Sequence, residues 1–205
     1  MTIAYRLGNK LYLNITNECS CNCVFCIRNN TDGVGDAKSL WLEREPSLEE
    51  IKVALDKKLM ANSDIDEVVF CGYGEPMMRA DIVIQISEYI KRNHSSLYEK
   101  SAPLVRINTN GLAFLMQPGF DVRKLGVVDT VSISLNADDG QEYQRLAQPR
   151  YEGAFESLLD FARQAKKYTS VVFSVVEGTI SPERLENCMR IATDVGVPLR
   201  VRDME

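Results

Sequence analysis

The chain has 205 residues, of which 45% are hydrophobic and 26% are charged, and its formal net charge is −5. This length and mix suffice for one well-buried core, so we expect a single domain over residues 1–205 with no C-terminal accessory domain. The acidic balance argues against a nucleic-acid partner. No apolar run reaches the length of a membrane span, and the first residues lack the apolar core of a signal peptide, so we expect a cytoplasmic protein.

The predicted elements alternate between strands and helices along the chain. A hairpin that turns at Gly8 and Asn9 leads into the main first strand, residues 11–16. Further strands are predicted at 66–71, 103–110, 129–136, 170–177 and 198–203. Helices are predicted at 46–60, 81–93, 152–167 and 181–196, with a short helical element near 120–126. Such alternation predicts a parallel sheet with right-handed crossovers.

Several predicted strands carry polar residues at every second position. In the fourth parallel strand, the apolar positions 131, 133 and 135 alternate with Ser132, Ser134 and Asn136. Because successive side chains of a strand point to opposite faces, the polar set must line a wet or occupied space. This favours a sheet curled into a partial (β/α)6 barrel of the TIM type, open on one side, over a flat doubly wound sheet.

Four of the six cysteines lie within residues 19–26, directly after the main first strand. Parallel barrels have their active sites at this end of the strands. Cys19, Cys23 and Cys26 have the spacing Cys-x3-Cys-x2-Cys. Three thiolates on one loop suit a [4Fe–4S] cluster whose fourth iron stays open to an exogenous ligand. Cys21 fits no position of this spacing, and we treat it as a bystander.

A structural zinc site is the main alternative for these cysteines. Zinc usually takes four ligands, commonly from two paired motifs. The remaining cysteines, Cys71 and Cys188, are isolated in the sequence, and four thiolates within eight positions would strain one loop. The spacing therefore favours iron and sulfide.

The cysteine spacing resembles that of the radical S-adenosylmethionine (SAM) enzyme superfamily, and the likeness extends over nearly the whole chain. Phe25 precedes the last cysteine, where the family has an aromatic residue beside the adenine of SAM. The sequence GYGEP at 72–76 resembles the family's Gly-Gly-Glu-Pro motif, with Tyr73 in place of a glycine. NTNG at 108–111 ends one strand, and SISLNA at 132–137 resembles the family's SAM-binding strand.

The resemblance implies a role for each of these positions. Glu75 receives the methionine amine of SAM, and Gly74 lets the backbone approach the ligand closely. Asn108 and Ser134 suit the carboxylate of SAM, and Asn136 suits its ribose hydroxyls. The family's chemistry implies reductive cleavage of SAM to methionine and a 5′-deoxyadenosyl radical, which abstracts a hydrogen atom from a substrate.

In size and layout the chain is most similar to small radical SAM proteins associated with TatD-type nucleases. The resemblance implies an external one-electron reductant such as flavodoxin or ferredoxin, and a protein or peptide is one candidate substrate. Three functions stay open. The first is hydrogen abstraction from an unidentified substrate. The second is activation of a partner protein by formation of a glycyl radical on that partner. The third is redox sensing by a non-catalytic Fe–S or Zn protein.

Three other features have an interpretation but no assigned function. Arg106, Arg200 and Arg202 face the predicted cavity, where they either pair with acidic groups or bind an anionic ligand. His94 ends a predicted helix and is expected to be a solvated cation. The long irregular stretch 29–46 predicts a functional loop.

Overall fold

The computed structural model describes residues 1–29, 31, 33–94 and 102–203, and within them the strands form one seven-stranded sheet. The strands are β1 (Ala4–Leu7), β2 (Lys10–Leu13), β3 (Glu67–Phe70), β4 (Leu104–Thr109), β5 (Thr130–Ser134), β6 (Ser170–Val176) and β7 (Leu199–Arg202). Their spatial order follows their order in the chain. β1 pairs antiparallel with β2, and each later pair is parallel. The expected hairpin and parallel sheet are confirmed.

Helices connect the parallel strands. They are α1 (Leu48–Ala61), α2 (Ala80–Asn93), α3 (Ala113–Met116), α4 (Gly140–Ala147), α5 (Ala154–Ala165) and α6 (Pro182–Val195). Short 3₁₀ turns occur at Ile27–Asn29, Pro76–Arg79 and Val122–Val127. In this described part of the chain, no helix combines the length and apolarity that a bilayer crossing requires.

Local capping signals set where two of these helices begin. Ser47 and Glu50 form a capping box before α1, in which each side chain accepts a bond from the other's backbone N–H. Ser181 caps α6, and Pro182 occupies the first turn, where its missing N–H costs nothing. Both starts agree with the sequence pattern.

Helix α4 was not predicted. The sequence analysis placed a single helix, at 152–167, between the fourth and fifth parallel strands. Asp139 caps α4 by accepting a 2.7 Å hydrogen bond from the backbone N–H of Glu142. Tyr143 and Leu146 on its inner face are buried. An eight-residue helix spans little more than two turns, which is too short for a clear helical period in the sequence.

The apolar faces of the strands and helices form one main core. Leu11 and Leu13 of β2 and Val131 and Ile133 of β5 are fully buried against the helices. The opposite face of the sheet carries the polar residues. The alternation in the sequence therefore separates a dry outer layer from a polar inner surface.

The sheet curls, and its two edges face the same space. Tyr5 and Leu7 of β1 line one cavity together with Arg200 and Arg202 of β7. No pairing joins β1 to β7 within the described residues, so the barrel stays open between them. The expectation of a partial barrel with an N-terminal hairpin is confirmed.

Candidate functional site

A cavity of about 200 Å³ lies at the C-terminal ends of the parallel strands. The four cysteines of the loop and Phe25 line it on one side. The strand ends contribute Glu75, Asn108, Ser134 and Asn136 on the other. The structure thus brings together every predicted site residue except Gly74, although these residues are spread over more than half of the chain.

Gly74 lies behind the cavity wall and not on it. A Cβ at this position would collide with the carbonyl oxygens of Thr16 and Glu18. The absence of a side chain therefore allows close contact with the loop that follows β2 and carries the four cysteines (residues 14–26, the cysteine loop). The next backbone N–H, that of Glu75, donates a 2.8 Å hydrogen bond to the carbonyl of Glu18. In the structure, Gly74 permits the close approach of this loop, and its predicted role beside the ligand stays a prediction.

Tyr73 also points away from the cavity. Its ring is 3% exposed and packs edge-on against Trp41, with 5.0 Å between the ring centroids. Its hydroxyl donates a hydrogen bond to the carbonyl of Thr31. A tyrosine is therefore accommodated in place of the family's glycine, because this side of the turn faces the loop at 29–46. Residues 30 and 32 of that loop lie outside the described residues.

Backbone hydrogen bonds join the cysteine loop to the C-terminal end of α4. The backbone N–H of Val24 donates to the carbonyl of Leu146 at 2.9 Å, and that of Asn22 donates to Ala147 at 3.0 Å. These are C-terminal carbonyls of a helix, which have no partner inside the helix. The short helix that the sequence analysis missed thus holds the loop in place.

Glu75 connects the turn after β3 to the end of β4. Oε1 accepts hydrogen bonds from the hydroxyl of Thr109 (2.6 Å) and the N–H of Met77 (2.9 Å), and Oε2 accepts one from the N–H of Asn110 (2.7 Å). The side chain also caps the 3₁₀ turn Pro76–Arg79. Burial raises the pKa of Glu75, and the three hydrogen bonds oppose that rise because they favour the carboxylate.

The sequence analysis assigned no role to Thr109 or Asn110, although both belong to the NTNG stretch. Besides its N–H bond to Glu75, Asn110 donates from Nδ2 to Ser20 Oγ at 2.8 Å and to Cys21 Sγ at 3.5 Å. Its side chain lines the cavity. The NTNG stretch therefore fastens the end of β4 to both the GYGEP turn and the cysteine loop.

The thiols of the loop differ in their electrostatics. Burial and the Glu75 carboxylate raise the pKa of Cys19 to about 12. The interaction between the neighbouring thiols of Cys21 and Cys23 raises the pKa of Cys21 and lowers the pKa of Cys23, and Arg28 also favours the Cys23 thiolate. The Cys21 side chain itself is buried. A bound metal would override the high pKa of Cys19, because coordination deprotonates a thiol.

The residues at this cavity include three thiols with the predicted spacing, which is the number of protein ligands that suits a [4Fe–4S] cluster with one open iron. Among the residues that the structure describes, no three cysteine, histidine or acidic side chains converge closely enough to hold one metal ion. A zinc site needs such convergence. In a [4Fe–4S] cluster each thiolate binds a different iron, so the ligands stand further apart. Cys19, Cys23 and Cys26 all line the cavity.

The polar residues on the strands already make some of their hydrogen bonds within the protein. Asn108 Oδ1 accepts from Arg106 Nη1 at 2.9 Å. Asn136 is 2% exposed, has a φ of 53°, and accepts at Oδ1 from the N–H of Val176 at 3.3 Å. Asparagine tolerates this left-handed conformation better than most residues. In both residues the carboxamide oxygen is used, and the Nδ2 hydrogens have no partner among the described residues.

Of the two alternatives for the arginines, pairing with an acidic group applies to Arg106. Its Nε and Nη2 donate to the two carboxylate oxygens of Glu67 at 2.9 and 3.0 Å, and Lys10 lies 2.8 Å from the same carboxylate. Within the described residues, neither Arg200 nor Arg202 forms an ion pair, although both line the cavity.

Comparisons with known proteins identify the family. Residues 13–201 match the Radical SAM superfamily. A Brachyspira hyodysenteriae protein named GTPase Obg is 27% identical over 200 residues, which cover 94% of this chain and 27% of that protein. An uncharacterized protein of Methanocaldococcus jannaschii is 26% identical over 150 residues, which cover 73% of this chain and 45% of that protein. The chain thus spans less than half the length of either relative.

Solved structures share the fold. Streptococcus suis SuiB bound to the precursor peptide SuiA has a TM-score of 0.71 at 15% identity, covering 97% of this chain and 40% of that chain. SuiB bound to S-adenosylmethionine has a TM-score of 0.67 at 14% identity, covering 95% and 40%. The family match spans nearly the whole chain, and the open barrel agrees with it. The chain therefore belongs to the radical SAM superfamily, whose members bind a [4Fe–4S] cluster and SAM.

Proposed function

We propose that this protein is a radical SAM enzyme in which Cys19, Cys23 and Cys26 bind the cluster and which abstracts a hydrogen atom from its substrate. The observation that carries this proposal is the single cavity at which the cysteine loop, Phe25 and Glu75 meet the polar strand ends. When bound, the cluster and SAM supply an electron and a 5′-deoxyadenosyl radical. The protein binds and orients these groups and excludes water from them.

Glu75 is the group that we assign to the amine of SAM. Three donors from the protein fix the orientation of its carboxylate, and Oε2, with a single donor, retains room to accept another. Because the side chain is 4% exposed, a charge-assisted bond to an ammonium group there is stronger than it would be in water.

Asn108 and Ser134 are assigned to the carboxylate of SAM, and Asn136 to its ribose. The internal bonds made by the two asparagines leave Nδ2 as the group that donates, which suits a carboxylate at Asn108 and a hydroxyl oxygen at Asn136. Ser134 is half-buried on the same cavity wall. Phe25, also half-buried, presents an aromatic ring for the adenine.

The finer predictions belong to this proposal as well. We place the protein with the radical SAM proteins associated with TatD-type nucleases, in the cytoplasm, where thiols stay reduced. We expect residues 1–205 to act as one domain that receives electrons from flavodoxin or ferredoxin. We do not carry over the GTPase name of one relative, because the sequence has no Gly-x4-Gly-Lys-Ser/Thr phosphate-binding motif.

Cysteine substitutions test the ligand assignment. Cys19→Ala, Cys23→Ala and Cys26→Ala should each lose the cluster, measured as iron and sulfide per chain after anaerobic reconstitution. Cys21→Ala should keep it. Cys188→Ala is the matched control, since Cys188 is a fully buried cysteine of α6. Loss of iron from Cys21→Ala equal to that of the other three would overturn the assignment, and one equivalent of zinc without iron or sulfide would establish the zinc alternative.

Cleavage of SAM tests the enzymatic activity. The reconstituted protein, given SAM and dithionite, should release 5′-deoxyadenosine, with cell extract added in a parallel reaction because substrate binding triggers cleavage in some enzymes of this kind. No 5′-deoxyadenosine from a fully loaded cluster under either condition would favour the non-catalytic redox sensor. A glycyl-radical signal in a co-expressed partner would instead identify an activase.

A further inference from the structure

We propose that the substrate is a small molecule with a carboxylate or phosphate group, and that Arg200 and Arg202 bind this anion in a second cavity inside the open barrel. This inference rests on the proposed function, because it concerns the substrate of the same site. It is carried by the position of the second cavity, by its unbalanced positive charge, and by its aromatic wall.

The second cavity has a volume of about 680 Å³ and adjoins the first. Volumes of this size are typical of sites for small organic molecules. Cys71, Gly72 and Asn108 line both cavities, and so do Arg200 and Arg202. A molecule held in the second cavity therefore reaches the first without crossing the protein, and one of its C–H bonds can face the site proposed for SAM.

The positive charge in this cavity is only partly balanced. Lys10 and Arg106 share the carboxylate of Glu67, as described above. Arg200 and Arg202 have no acidic partner within the described residues, and Nε of Arg202 is buried without a hydrogen-bond partner. The carboxylate of Asp203 also lines the cavity, but the residue is exposed and forms no ion pair with either arginine.

A buried guanidinium nitrogen without an acceptor is unfavourable, because it has given up its hydrogen bonds to water. A bound carboxylate or phosphate supplies the missing acceptor, and two neighbouring arginines suit its several oxygens. Side chains two residues apart on a strand point to the same face. Arg200, which is exposed, and Arg202, which is half-buried, therefore lie on the same face of β7 and line the same cavity.

The wall opposite β7 is aromatic and apolar. Tyr5 and Tyr12 stack with 5.1 Å between their ring centroids, and Leu40 and Val34 extend this surface. Such a surface suits the flat or apolar body of a small molecule whose anionic end lies at the arginines. The open gap between β1 and β7 gives this molecule a way in.

Binding of two simple probes to the SAM-loaded holoprotein tests the proposal. Inorganic phosphate is followed by ³¹P NMR and succinate by saturation transfer, at low ionic strength. At least one should bind, and Arg200→Gln and Arg202→Gln should each weaken that binding roughly tenfold or more, which is the loss expected for one charge-assisted bond. Arg200→Lys should recover part of it. Binding of phosphate alone indicates a phosphorylated substrate, and binding of succinate alone indicates a carboxylic acid.

Arg123→Gln is the matched control, since Arg123 is an exposed arginine that pairs with Asp121 away from both cavities. Its binding of the probes should equal that of the wild type. The proposal is overturned if neither probe binds, if the β7 variants bind as the wild type does, or if Arg123→Gln weakens binding as much. It is also overturned if Arg200→Gln loses SAM affinity to the same extent, because the arginine would then belong to the SAM site.

The readouts separate this inference from the proposed function. Iron content and 5′-deoxyadenosine report on the cluster and on SAM cleavage, whereas the probes report on anion binding by β7. A protein that cleaves SAM but ignores both anions retains the proposed function and loses the inference. A protein that binds the anion through Arg200 but never cleaves SAM retains the anion site and loses the proposed function, and with it the assignment of that anion as a substrate.

Discussion

Replacing Glu75 tests the structure most severely, because this carboxylate has both a positioning role and a proposed binding role. Glu75→Ala leaves three donors without their acceptor, namely the hydroxyl of Thr109 and the N–H groups of Met77 and Asn110. Each buried donor that loses its partner costs about 1–3 kcal/mol. The total of roughly 3–9 kcal/mol is comparable to the whole stability of many domains.

Glu75→Gln should be milder in stability and more informative about binding. With its carbonyl oxygen at the place of Oε1, glutamine keeps the bonds from Thr109 and Met77, and its NH₂ faces the N–H of Asn110. One bond is lost, at about 1–3 kcal/mol. The negative charge is also lost, so a charge-assisted bond to the SAM amine disappears. SAM should therefore bind roughly ten- to a hundredfold more weakly.

Two measurements separate these effects. Anaerobic urea unfolding of the metal-free protein gives the loss of stability, and equilibrium dialysis of the reconstituted protein gives the SAM affinity. Thr109→Val is the matched control, because it removes one donor to Glu75 and keeps the carboxylate. It should lower the unfolding free energy by about 1–2 kcal/mol and weaken SAM binding much less than Glu75→Gln does, because the carboxylate keeps its charge and two of its three donors.

Two results would contradict these roles of Glu75. Wild-type SAM affinity in Glu75→Gln with a full cluster would remove Glu75 from the amine site. A Glu75→Ala protein as stable as the wild type would show that the three hydrogen bonds do not hold the turn to β4.

Two further substitutions probe the support of the site. Gly74→Ala should lower the stability of the protein and its retention of the cluster, because the added Cβ collides with the carbonyls of Thr16 and Glu18. Urea unfolding measures the stability, and iron content measures the cluster. Normal iron content would contradict the role given to the contact between Gly74 and the cysteine loop. Asp139→Ala removes the N-cap of α4 and should lower the unfolding free energy by about 1 kcal/mol while iron content stays normal. Cluster loss there would mean that the start of α4, and not just its C-terminal end, fixes the cysteine loop.

The fold class could be predicted from the sequence, because periodicity is a local property. The alternation of residues 131–136 decided which side chains share a face, and that in turn indicated a curled sheet. The location of the functional site could also be predicted. It followed from the spacing of Cys19, Cys23 and Cys26 and from the positions of GYGEP and SISLNA at strand ends. Parallel strands bring their C-terminal ends to one rim, so these distant residues meet in one cavity.

The partners of the polar and charged groups could be identified only from the folded structure. His94 was expected to be solvated and is instead 2% exposed, with Nε2 2.9 Å from Asp56 Oδ1, so that prediction was wrong. Arg106 has Glu67 as its partner, although Arg200 and Arg202 carry the same charge on the same inner surface.

The physical reason is that such contacts join residues far apart in the chain. Thr109 and Asn110 reach Glu75 over 34 and 35 positions, and Arg106 reaches Glu67 over 39. The register of neighbouring strands and the curl of the sheet set these distances, and neither follows from residue spacing in the sequence. The sequence therefore located the rim of the barrel, and the three-dimensional packing decided which groups on it are already satisfied and which remain for a ligand.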